Sequence, residues 1–146
     1  MTGVSCNSRS RCMATGSYVG NLAVSHSISR IWNGKTWRIV SMPGRGGVLD
    51  VSCPRPSNCI AAGHYFTKFD LQSGDLAERW NGRTWTRLKT VRPGPIGASF
   101  QFGGGMSAVS CWGPDRCVAT GQTTTTLTLA QFWNGAGWTA VASINP

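Results

Sequence analysis

The chain has 146 residues, with 14 Lys and Arg against five Asp and Glu, a formal net charge of +9. The length fits one domain, the basic balance favours anionic partners, and no apolar stretch is long enough to cross a membrane as a helix. A charged fraction of 13%, 19 Gly and seven Trp point to a compact all-β module, and so few carboxylates speak against hydrolysis by paired acids.

Along the chain, apolar and β-branched stretches alternate with turn chemistry, and no segment sustains a helical period. The first four strands are predicted near Gly3 to Cys6, Cys12 to Val19, Ser27 to Trp32 and Thr36 to Ser41. The last two meet at Asn33-Gly34, a dipeptide that favours a tight primed turn because both residues tolerate positive φ. The pattern then recurs. Val4-Ser5-Cys6 to Cys12 with Trp32-Asn33-Gly34-Lys35-Thr36-Trp37 is followed by Val51-Ser52-Cys53 to Cys59 with Trp80-Asn81-Gly82-Arg83-Thr84-Trp85. The third copy is Val109-Ser110-Cys111 to Cys117 with Trp133-Asn134-Gly135-Ala136-Gly137-Trp138. One domain over 1–146 is expected, with repeats at about 3–47, 48–105 and 106–146. No copy can bury a core by itself, so function is expected from the assembled array.

All six cysteines fall as Cys-x5-Cys at one equivalent place, which predicts Cys6 with Cys12, Cys53 with Cys59, and Cys111 with Cys117 as disulfides closing the first hairpin of each copy. An oxidising compartment follows. His26 and His64 occupy no repeated position, so no metal site is expected. Met1 to Gly3 are too short and too polar for a signal peptide, so a secreted protein would stand here in mature or recombinant form.

At this point the chain resembles the Cys-hairpin and WNG repeats of secreted actinobacterial proteins. Leu76-Ala77-Glu78-Arg79-Trp80-Asn81-Gly82-Arg83-Thr84-Trp85-Thr86 and Val109-Ser110-Cys111 with Cys117-Val118-Ala119-Thr120-Gly121 carry the resemblance most strongly. The resemblance implies a β-propeller, each copy being one four-stranded blade, with roles in surface binding and carbohydrate recognition. Three copies fall short of the roughly four to eight blades that close a propeller. Oligomerisation is therefore expected, two chains completing a six-bladed ring. A piece of a longer array and a β-trefoil monomer are the alternatives.

Function is expected in a secreted, lectin-like module that binds a glycan or cell-surface polymer. A protein-interaction scaffold and a basic adhesin for anionic polymers are the alternatives. Specific nucleic-acid binding, membrane insertion, cofactors and enzyme activity are not expected. The repeated Trp37, Trp85 and Trp138 are contact candidates whose fixed place in each copy equally suits packing. Variable connections carry more information: Tyr18 to His26, His64 to Glu78, and Gln122 to Thr126. The second gathers His64, Tyr65, Phe69 and Gln72. Trp112 breaks the repeat between Cys111 and Cys117, and with Asp115 and Arg116 it forms a further candidate contact. Phe100-Gln101-Phe102, ahead of Gly103 to Gly105, is another. Asp75 with Glu78 is the nearest approach to a paired-acid motif and is read as a loop pair without catalytic role.

Overall fold

The computed structural model describes residues 1–21, 24–66, 73–91, 104–123 and 127–142. Twelve strands are described. They are β1 (Gly3–Ser8), β2 (Arg11–Val19), β3 (Ser25–Trp32) and β4 (Trp37–Arg45); β5 (Gly47–Arg55), β6 (Asn58–Phe66), β7 (Ser73–Trp80) and β8 (Trp85–Arg87); and β9 (Gly105–Gly113), β10 (Arg116–Gln122), β11 (Thr128–Trp133) and β12 (Trp138–Val141). Each group of four forms its own antiparallel sheet in chain order. Every neighbour in a sheet is therefore a hairpin partner, and each sheet is a local meander, one blade. Among the described residues no strand pairs outside its own blade, which sets aside the trefoil alternative, whose copies share a closed barrel.

The hairpins follow from the sequence at two points. Each disulfide joins residues that face each other across the first two strands, Cys6 with Cys12, Cys53 with Cys59 and Cys111 with Cys117. The WNG turns differ from the expected two-residue form. Trp32 pairs with Trp37 across a four-residue loop, and the Asn33 side chain closes it, its Oδ1 accepting from the Lys35 and Thr36 amides at 2.9 and 2.8 Å. Asn81 and Asn134 repeat this arrangement. Only the glycine takes positive φ, 95° at Gly34, 96° at Gly82 and 94° at Gly135. The asparagine is retained for its side-chain acceptor rather than for its backbone freedom.

The core lies between blades. Between the first and second, Met13, Val40 and Ile31 meet Val51, Leu76, Trp80 and Trp85. Between the second and third, Ile60, Ala62 and Ala77 meet Val109, Leu129, Trp133 and Trp138. A blade thus offers its tryptophans to the blade before it and its smaller aliphatic face to the blade after it. The inner strands are linked by side chains rather than by a ladder. The Cys53 amide donates to Ser5 Oγ at 3.0 Å, and the Cys111 amide donates to Ser52 Oγ at 2.9 Å. This explains the repeated Val-Ser-Cys: valine and cystine pack, and serine satisfies an edge amide of the next copy that would otherwise be left open.

The connections after the second strand of each copy are shorter than the sequence suggested. His64 and Tyr65 belong to β6, Asp75 and Glu78 to β7, and Gln122 to β10. Tyr18 faces His26 across β2 and β3, and their rings stack at 5.4 Å. Backbone pairing carries these hairpins past the apolar stretch, so polar side chains occupy strand positions that composition alone assigns to loops. Phe69, Gln72 and the Phe100 to Phe102 patch lie outside the described residues.

Candidate functional site

Positions equivalent by repeat occupy two joints, and comparing them separates binding chemistry from architecture. At the first joint, Trp85 Nε1 donates to Ser29 Oγ at 2.9 Å, and the Ser29 hydroxyl in turn donates to the Val40 carbonyl at 3.0 Å. At the second, Ala77 stands where Ser29 stood, and Trp138 Nε1 is left without a hydrogen-bond partner. Trp85 and Trp138 are each 5% exposed, so both are packing residues rather than contact residues.

The acidic side chains are also architectural. Asp50 accepts from the Val51 and Val109 amides at 2.8 and 2.9 Å, joining two blades. Gln131 of the third blade donates to Asp75 Oδ2 at 2.6 Å and to the Val91 carbonyl at 2.8 Å. Glu78, the counterpart of Gln131 one blade earlier, is fully buried, and neither carboxyl oxygen has a hydrogen-bond partner. Burial raises its pKa to about 7, against the opposing pull of the Arg87 charge and of the Gly44 amide, which favours the charged form without completing a hydrogen bond. Asp75 and Glu78 are three residues apart on one strand and serve opposite joints, Asp75 toward the third blade and Glu78 toward the first. They are a strand pair, not a loop pair. Asp115 is held by Arg79 at 3.2 Å.

A crevice of about 100 Å³ opens at the disulfide end of the first joint, lined by Asn7, Arg11, Arg38, Pro56 and Trp80 among others. It falls well short of the ~300 Å³ at which small-molecule pockets begin. The corresponding place at the second joint is spanned by the Arg79 to Asp115 ion pair.

His64 packs between Gly47 and Gly105, where a methyl on either glycine would come within 2.9 Å of its side chain. Burial lowers its pKa. Tyr65 rests against the first core, with the Arg87 guanidinium 4.4 Å from its ring centre. Both side chains make packing contacts and remain partly exposed. Trp37, by contrast, is 45% exposed and tilts against Trp32 at 5.4 Å.

The exposed aromatic surface that stands out is on the third blade. Trp112 is 61% exposed and stacks on Phe132 at 5.9 Å with 28° between the rings. The strand register explains its presentation. Cys111 faces Cys117 and Gly113 faces Arg116, so Trp112 is the extra residue of a β-bulge, a device that re-aims a side chain. Arg116, also exposed, begins β10 directly across from Gly113. An indole face backed by a second ring, with an exposed arginine on the paired strand, suits a flat partly apolar ligand carrying hydroxyl or anionic groups. Sequence reasoning singled out Trp112 and Arg116 but missed Phe132. The available signal was that Phe132 replaces Ile31 and Arg79 at the place before the repeated Trp.

No protein family and no curated protein matches the chain. Solved structures do. A fucose lectin from Kordia zhangzhouensis, in complex with methyl-fucoside, aligns over 98% of this chain and all of its own, at 11% identity and a TM-score of 0.56. YCF48 bound to D1 peptide aligns over 97% of this chain, at 14% identity and a TM-score of 0.53. The GH74 xyloglucanase from Xanthomonas campestris aligns over 82%, at 17% identity and a TM-score of 0.54. The chain spans 39% of the YCF48 chain and 18% of the xyloglucanase chain. At such identities the likeness is one of fold, and that fold is three blades of a β-propeller, similar to those of a lectin, a peptide-bound protein and a glycoside hydrolase.

Proposed function

We propose that the chain is a secreted, lectin-like module that recognises glycans on a surface through the Trp112 and Phe132 platform, with Arg116 supplying polar contacts. The observation that carries this reading is the presentation of Trp112, exposed on a bulge and pre-stacked, so that little side-chain entropy is lost when a pyranose face covers it. The similarity in fold to a fucose lectin supports it. Three disulfides suit an extracellular setting, and among the described residues no helix is long and apolar enough to cross a membrane.

A second reading, adhesion to anionic polymers, is favoured by where the acids lie. Asp50, Asp75, Glu78 and Asp115 are engaged in joints or an ion pair, and Asp70 lies outside the described residues. The exposed charge is therefore predominantly basic.

A glycan array at near-physiological salt, with methyl-fucoside among the free competitors, distinguishes the two. The lectin reading predicts saturable binding to a defined glycan set, competed by free sugar, surviving raised salt, and weakened at least about tenfold by Trp112→Ala. Binding confined to acidic polymers and removed by salt supports the adhesin instead. Sugar binding unaffected by Trp112→Ala overturns the platform.

A further inference from the structure

The two internal joints show what a blade requires on each side. Toward the preceding blade it presents its tryptophans and an outward cysteine amide, and it receives a serine hydroxyl. Both halves of a third such joint stand open in this chain. On the first blade, Val4 is 63% exposed, whereas its counterparts Val51 and Val109 are 4% and 6% exposed. Trp37 and Ile39 are exposed beside it, and the register of the other copies turns the Cys6 amide outward on this face. On the third blade, Ser110 is exposed, with Trp112 and Val141 on the same face.

We propose that a second copy of this chain docks head to tail on these faces, the third blade of each copy seating the first blade of the other, so that two copies close a ring of six blades. The inference does not depend on glycan binding. It rests on complementarity already realised twice within the chain: the receiving face that fits Ser110 is one with an outward cysteine amide between a valine and paired tryptophans, and the first blade presents such a face. Ser110 Oγ takes the partner's Cys6 amide, as Ser5 takes Cys53 and Ser52 takes Cys111. Trp112 takes the place of Asn7, whose Nδ2 donates across the first joint to the Cys53 carbonyl at 2.8 Å. Asn7 remains exposed while spanning its joint, so Trp112 would line the mouth of the seam, with Phe132, at the place of Ile31, packed behind it within the seam. Apolar exposure at both ends of the stack is what a buried seam removes. The seam is weaker than the second joint in one respect, because Ala108 stands where Asp50 binds the next blade's amide. Closure compensates, since two copies that meet head to tail form two identical seams at once.

Sedimentation velocity from nanomolar to high micromolar chain, at an ionic strength that screens the +9 charge on each copy, tests the proposal. The expected species has twice the 15.6 kDa chain mass. Ser110→Arg on the giving face and Trp37→Glu on the receiving face each weaken association by on the order of 30-fold or more, as loss of an interface centre does. Val4→Asp replaces Trp37→Glu if the latter fails to fold by circular dichroism. Mixing the two single variants restores a two-chain species, because one seam of the mixed pair then joins two unaltered faces. A single-chain mass at every concentration overturns the proposal, as does a pair indifferent to both variants. A pair that the mixture fails to restore also overturns it, since that result marks a face-to-face contact.

Discussion

The tryptophan hairpins of the first and second blades carry the same words, yet they live in different surroundings. Trp80 and Trp85 are 2% and 5% exposed beneath the preceding blade, whereas Trp37 is 45% exposed with no blade described above it. The rings meet in the same way, 5.4 Å apart in the first blade and 5.8 Å in the second. Local sequence therefore fixes the hairpin and its ring contact, while the neighbouring copy decides whether the same ring is core or surface. The difference makes stability in this fold a property of joints.

The two tryptophans should differ most when each is removed. Trp85→Ala should cost about 3 to 5 kcal/mol by emptying the first joint and removing the donor to Ser29 Oγ, while Trp37→Ala should cost about 1 kcal/mol in the single chain. Denaturant titrations under oxidising conditions measure both. Equal losses would mean that the first joint is not packed as described.

Glu78 and Gln131, equivalent by repeat, should differ in how stability responds to pH. The folded state holds the Glu78 proton up to about pH 7, against the ordinary value of 4.5 for an unfolded chain. Between those values the folded protein binds more protons than the unfolded chain, so this group's contribution to stability is full below 4.5 and falls as pH rises to about 7. The loss is on the order of 3 kcal/mol at neutral pH. Glu78→Gln copies the third blade's neutral amide and should recover much of it above pH 7, leaving stability near pH 4 almost unchanged. His64, whose pKa burial lowers, acts in the opposite direction by penalising acid. The difference between wild type and Glu78→Gln, measured by thermal unfolding across pH, isolates the carboxyl.

Two smaller effects concern the indole nitrogens. Ser29→Ala should cost about 1 to 2 kcal/mol, because it leaves Trp85 Nε1 buried without an acceptor. The reverse change, Ala77→Ser, offers Trp138 Nε1 the acceptor it lacks and should gain up to about 1 kcal/mol. Urea midpoints at constant slope measure both changes.

The all-β class, the three copies and the cystine pairs were legible because turn chemistry and Cys-x5-Cys spacing act within a hairpin. What acts between copies was not. Ser5 and Ser52 look like filler between valine and cysteine until their hydroxyls are seen to receive the next blade's amides. Asp75 and Glu78 read as a loop pair because acidic residues beside Gly and Ser lack strand character, yet they lie on one strand, each turned to a different neighbouring blade. The asparagine of WNG suggested a primed turn because the sequence does not reveal that its side chain, rather than its backbone, shapes the loop. Trp112 could be flagged because it breaks a repeat. His64 and Tyr65 read as loop residues from composition, whereas pairing with Asp75 and Gly74 continues β6 through them.

One joint chemistry recurs along the chain, and the outer faces of the first and third blades carry its two unmatched halves. Amide hydrogen exchange at Cys6, Cys53 and Cys111, followed by NMR at low and high protein concentration, tests it most directly. Cys53 and Cys111 should be protected at both concentrations, with Cys6 exchanging freely when dilute and becoming protected when concentrated. Cys53 and Cys111 amides that exchange as fast as Cys6 under all conditions would contradict it.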